Sequence, residues 1–137
     1  LNKYSKILLR LSAVFALIGA YLGSHMAGAG GYAFRPVHAH SLVVGWLSLF
    51  AWAVYYQIFT PKLGLLAKLH VCTAIIGSVG LTGGMAMFIF KPEILPEPVH
   101  TVVYIVGGSI LLLSFLFFLI LTFTNSAEQN VNNGISN

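Results

Sequence analysis

Four apolar runs, each about 20 residues or longer, dominate this chain of 137 residues. They extend from about Ile7 to Met26, Val37 to Phe59, Leu65 to Ile89 and Val99 to Thr124. About 20 apolar residues are what an α-helix needs to cross the hydrocarbon core of a bilayer. Inside lipid a helix satisfies its own backbone hydrogen bonds, so helices are the form expected of all four. Charged residues make up only 7% of the chain, against roughly a quarter in soluble domains. That scarcity excludes a soluble globular domain and a disordered chain. The net charge of +4 is spread out rather than gathered into a block, which excludes a nucleic-acid binder. The expected fold is all-α: a four-helix transmembrane bundle over residues 1–124, then a disordered polar tail over 125–137.

The breaks between runs follow local chemistry. Gly28-Ala29-Gly30-Gly31 and Arg35-Pro36 separate the first two, with Pro36 suited to a first helical turn. Thr60-Pro61-Lys62 makes a short turn, and Lys91-Pro92-Glu93 through Glu97-Pro98 makes the last connection. Lys3, Lys6, Arg10, Lys62 and Lys68 fall on one side of the membrane, Arg35 and Lys91 on the other. Positive charge favours the cytoplasm. Both termini are therefore expected there, with the Gly-rich and Pro-rich loops facing the periplasm of a bacterial inner membrane. The first run continues too far for a cleavable signal peptide.

Small residues recur at helix-packing intervals: Gly19 and Gly23, then Gly77, Gly80 and Gly84, then Gly107 and Gly108. They let helix backbones approach in lipid, or leave room for a flat cofactor. Trp46, Trp52, Tyr55 and Tyr56 are expected as lipid-facing or interfacial aromatics. Cys72 is expected as a small buried apolar residue. Met85 and Met87 are expected to fill gaps, with soft Cu(I) ligation as the other option.

Five histidines stand against three acidic residues. An ionisable group in or near a membrane is a functional candidate, because placing it there is costly. His25, His38, His40 and His100 come from three runs yet share the outer level, while His70 lies near the opposite side and is expected to anchor there or bond a carbonyl. Neutral imidazole is the commonest metal ligand. His38 and His40 are two residues apart, which on an α-helix means about 200° of rotation. Both would then serve different partners, one on each side. If His38 precedes the helix, both rings reach one ion. Each of His38, His70 and His100 heads a stripe of small residues that suits either core packing or a cofactor plane. Arg35 is available to an acidic propionate or to Glu97.

The run Phe34-Arg35-Pro36-Val37-His38-Ala39-His40-Ser41-Leu42-Val43-Val44-Gly45-Trp46 resembles the histidine-bearing helix of the haem–copper oxidase superfamily. It is similar to short four-helix proteins called cytochrome c oxidase subunit I-like. The resemblance is best over Arg35 to Tyr56 and looser through the later runs. It implies haem ligation near the outer side, with His38 and His40 each giving an imidazole to a different haem. The catalytic subunit of that family has twelve helices in three arcs of four. This chain has four, and lacks the family's adjacent histidine pair and its His–Tyr pair at copper. A complete oxygen-reducing site is therefore not expected in a single chain. Three copies would restore twelve helices, so a homotrimer is expected.

The function expected first is ligation of haem b by His38, His40 and His100, with Arg35 at a propionate, for electron transfer to an unidentified redox partner or for gas binding. The first alternative is a Cu or Zn binding or transport protein using His25, His38, His40 and His100. The second is an assembly subunit without a cofactor. No Ser/His/Asp set, paired catalytic carboxylates or phosphate-cradling loop is recognisable.

Overall fold

In the computed structural model the backbone is described at 1–59, 61, 64–93 and 95–135, and side chains are described as far as 124. Four helices are each long and apolar enough to cross a membrane. They are α1 (Lys3–Ala29), α2 (Arg35–Ile58), α3 (Leu65–Phe90) and α4 (Glu97–Ile135). Of the expected turn at 60–62, only Pro61 is among the described residues, and it is buried. The backbone of α4 continues past 124, where the polar tail was expected to begin; the side chains from there on lie outside the described residues.

Caps close both ends of α1 and the end of α3. Asn2 opens α1: its side-chain oxygen accepts from the Ser5 N–H at 2.8 Å. The Asn2 Nδ2 donates to the Tyr56 carbonyl at 2.6 Å, tying the start of α1 to the end of α2. Gly30 closes α1 in the left-handed region at φ 68°, where a side chain is disfavoured. Lys91 closes α3 in the same region at φ 44° and pairs with Glu97 at 3.0 Å.

Helix α2 changes winding along its length. An α-helical segment over Arg35–His40 leads into a π-helical segment over Ser41–Ser48, and α-helix resumes over Leu49–Ile58. A π segment of eight residues is long, since most are single turns. The Ser48 hydroxyl donates to the Val43 carbonyl at 2.9 Å, five residues back, in keeping with that wider register.

The glycine intervals pack helices directly against each other. A Cβ on Gly77 would stand 2.5 Å from the backbone nitrogen of Leu111, and one on Gly84 would stand 2.6 Å from the Tyr104 Cα. A Cβ on Gly107 would run into the Gly80 backbone. Close backbone approach of this kind substitutes, within lipid, for the hydrophobic drive that packs helices in water. On α2, Gly45 takes the Phe15 ring of α1. These gaps are filled by neighbouring chain, so within one chain the glycine stripes are packing devices and leave no slot for a flat cofactor. Two buried hydroxyls on the helices are satisfied locally, whereas the buried Ser78 hydroxyl has no hydrogen-bond partner among the described residues. Thr82 donates to the Ser78 carbonyl and Ser114 to the Leu111 carbonyl, both at 2.7 Å.

Candidate histidine end

One end of the bundle collects the last turns of α1 and α3 and the first turns of α2 and α4. Rings link them. His25 lies 6.2 Å from both Tyr21 and Phe34, centroid to centroid, and Phe34 meets Phe90 at 4.8 Å. Phe88 and Tyr104 stack at 6.4 Å between α3 and α4. His25, His38, His40 and His100 all belong to this end, as their order along the chain predicts.

Both His38 and His40 lie within the helix, which settles the geometry that their spacing left open. Being two residues apart on α-helical turns, they leave α2 on opposite sides. His38 turns to α1. Its Nδ1 is 2.7 Å from the Gly19 carbonyl, and its ring lies so near Gly23 that a Cβ there would meet Cε1 at 2.8 Å. The sequence admits the ring because Gly19 and Gly23 carry no side chains. His40 bonds back within its own turn, Nδ1 to the Pro36 carbonyl at 2.9 Å. Pro36 belongs to the opening turn of the helix. His40 also lines an open, largely apolar depression of about 190 Å³ with Ala39, Val43 and Val44. That is below the roughly 300–1,000 Å³ of pockets that enclose a ligand. Both rings are half-buried.

His100 is buried, and its Nε2 has no hydrogen-bond partner. His25 is exposed. The four histidines do not gather on one point: among the described residues no group of three or more His, Cys, Asp or Glu is placed to hold a metal ion. The expected ring of four imidazoles around one Cu or Zn is therefore not formed within one chain, because His38 and His40 diverge.

Arg35 does not pair with Glu97. Its guanidinium stands 4.7 Å over the Tyr32 ring, and Glu97 is taken by Lys91. Arg35 remains exposed and close in sequence to both α2 histidines.

At the opposite end the structure corrects three expectations. His70 is fully enclosed rather than anchored at a surface. Its Nδ1 lies 2.8 Å from the Tyr56 hydroxyl, and its ring sits among Trp52, Tyr56 and Phe118 with centroids 4.8, 5.7 and 5.4 Å away. Trp52 and Tyr56 are therefore core residues, not lipid-facing ones, although Trp46 is exposed as expected. The signal was present: Leu49, Trp52, Ala53 and Tyr56 recur at helical intervals on one face, and all four are buried. Cys72, expected inside, is exposed on α3. Met85 is buried, which fits a gap filler.

No protein-family model, curated protein or solved structure was found to match this chain.

Proposed function

We propose that this integral membrane protein ligates haem b through His38 and His40, for electron transfer or for binding a gas. The observation that carries this reading is the state of the two rings. A backbone carbonyl only accepts, so in each ring Nδ1 holds the proton and Nε2 keeps its lone pair. Proteins fix the tautomer of metal-binding histidines in this way. His100 adds an imidazole at the same end whose buried Nε2 is unsatisfied. Such an orphan costs about 1–3 kcal/mol unless something binds it. The π-helical segment begins directly after His40, and segments of this kind frequently accompany functional sites.

The donor set fits haem iron, and His100 lines an open depression of about 340 Å³ with Phe88, Lys91 and Glu97 rather than an enclosed slot. A second copy of the chain would supply the missing wall, and a homotrimer would bring twelve helices together. When bound, haem supplies a one-electron iron couple or an open coordination position. The residues of this chain do the holding. His38 and His40 serve separate haems because they face apart, the Gly19 and Pro36 carbonyls fix their ring planes, and Arg35 offers a guanidinium to a propionate. The histidine end faces the periplasm in this reading, with both termini in the cytoplasm. Bare-ion binding is less supported, since it needs several donors converging. A cofactor-free assembly role is the second reading, favoured by the filled glycine gaps.

An absorption spectrum of the purified protein, taken with metal analysis, tests the proposal. A Soret band is expected, with less haem per chain in both His38→Ala and His40→Ala. Full haem retention in both variants removes them as ligands, and absence of both haem and metal leaves the assembly role. A monomer mass in detergent would sink the trimer.

A further inference from the structure

We infer that the exposed face of α1 is a docking track for one anionic glycerophospholipid, with its head at Lys3, Lys6 and Arg10 and an acyl chain along Val14, Leu17 and Tyr21. This inference is independent of the haem reading. The six residues follow one another at intervals of three or four, so they form a single stripe down the helix. All six are exposed; Val14, Leu17 and Tyr21 keep 52%, 73% and 67% of their surfaces. Among the described residues none of the three cations has a carboxylate partner. From Lys3 to Arg10 the helix rises about 10 Å. A headgroup layer is roughly 5–8 Å deep, and long basic side chains make up the difference by reaching toward the phosphate plane.

The net positive charge lies at this end of the bundle. The Tyr56 ring packs on Tyr4 of α1 and on His70 of α3, which places Lys68 at the same end as the α1 cations. Lys68 is also exposed. At the histidine end Arg35 and Lys91 are balanced by Glu93 and Glu97. An anionic head therefore has one end to prefer. A soluble acidic partner would meet the cations but not the apolar half of the stripe, which lies within the span. A phospholipid matches both halves.

The test uses the full chain in phosphatidylcholine bilayers with spin-labelled phosphatidylglycerol or spin-labelled phosphatidylcholine, read as the motionally restricted fraction of each. Phosphatidylglycerol is expected to be enriched beside the protein. Each cation replaced should weaken that preference by about fivefold, in Arg10→Gln and more so in Lys3→Gln/Lys6→Gln/Arg10→Gln. Lys3→Arg/Lys6→Arg keeps the charge and should keep the preference, which separates lost charge from lost fold. Equal association of the two lipids overturns the inference, as does a preference unchanged in the triple variant. Displacement by inorganic phosphate alone would reveal a small-anion site and also overturn it.

Discussion

The Tyr56 hydroxyl and His70 Nδ1 lie 2.8 Å apart, wholly enclosed, at the point where α1, α2 and α3 meet. Tyr4 contributes the α1 side, its ring edge-on to Tyr56 at 5.7 Å. The hydroxyl also lies 3.4 Å from the Ala67 carbonyl. One polar contact thus joins α2 to α3, and the Tyr4 ring adds α1, in surroundings that are largely apolar and aromatic. In the dry interior of a bundle an unmade hydrogen bond is expensive, and the His70 Nε2 already lacks a partner among the described residues.

Tyr56→Phe is therefore expected to lower stability by about 1–3 kcal/mol, because it leaves the His70 imidazole without its hydroxyl partner. His70→Phe should cost less, because the hydroxyl can still donate to the Ala67 carbonyl. The double variant should lose less than the two losses added together, since it removes both polar groups at once. Unfolding titrations in mixed micelles would measure all three. Strictly additive losses would mean that the contact does not couple the residues.

The α3–α4 seam yields a sharper contrast. Gly107→Ala forces a methyl into the Gly80 backbone, which cannot move as a side chain would, and should cost about 1–3 kcal/mol. Gly83→Ala places its methyl where nothing lies within 4 Å. That change should be neutral, or stabilising by up to about 1 kcal/mol through helix propensity. Comparable losses at the two sites, read from the same titration, would contradict the seam described here.

Much of this architecture was legible before the structure. Apolar length alone located four helices to within a few residues, save the end of α4, because lipid leaves the backbone no alternative. Glycine spacing located the α3–α4 seam. Helical spacing of Leu49, Trp52, Ala53 and Tyr56 marked the inward face of α2, but residue chemistry pointed the other way. Trp52 and Tyr56 carry polar tips that suit a membrane interface, and only the partner His70, supplied by another helix, makes burial worthwhile. The π-helical segment was invisible, since no residue type marks it. For the histidines, chain order gave their shared end, but convergence depends on rotation about each helix, and there His38 and His40 diverge.

The two α2 histidines should be distinguishable by their protonated nitrogen. Neutral histidine in water favours the Nε2–H form, whereas a carbonyl 2.7 or 2.9 Å from Nδ1 holds the proton there. Nitrogen NMR of protein labelled at histidine, at a pH where the rings are neutral, should report Nδ1–H for both His38 and His40. His38→Gln and His40→Gln would assign the signals. An Nε2–H form at either ring would show that its carbonyl contact is not made, and would withdraw the free Nε2 on which ligation rests.

Gly23 offers a way to disturb His38 without removing it. A methyl at this position would press on Cε1 at 2.8 Å and on Nδ1 at 3.2 Å, closer than those atoms tolerate, so the ring must rotate or withdraw from the Gly19 carbonyl. Gly23→Ala is accordingly expected to change the His38 nitrogen signal while His40, on the other side of α2, keeps its own. If haem is bound, its absorption should shift or diminish in the same variant. Gly28→Ala is the matched control, because nothing lies within 4 Å of the added methyl. A Gly23→Ala protein whose His38 signal matches wild type would show that the ring is not seated against α1, and the division of the two imidazoles between opposite sides of α2 would fail with it.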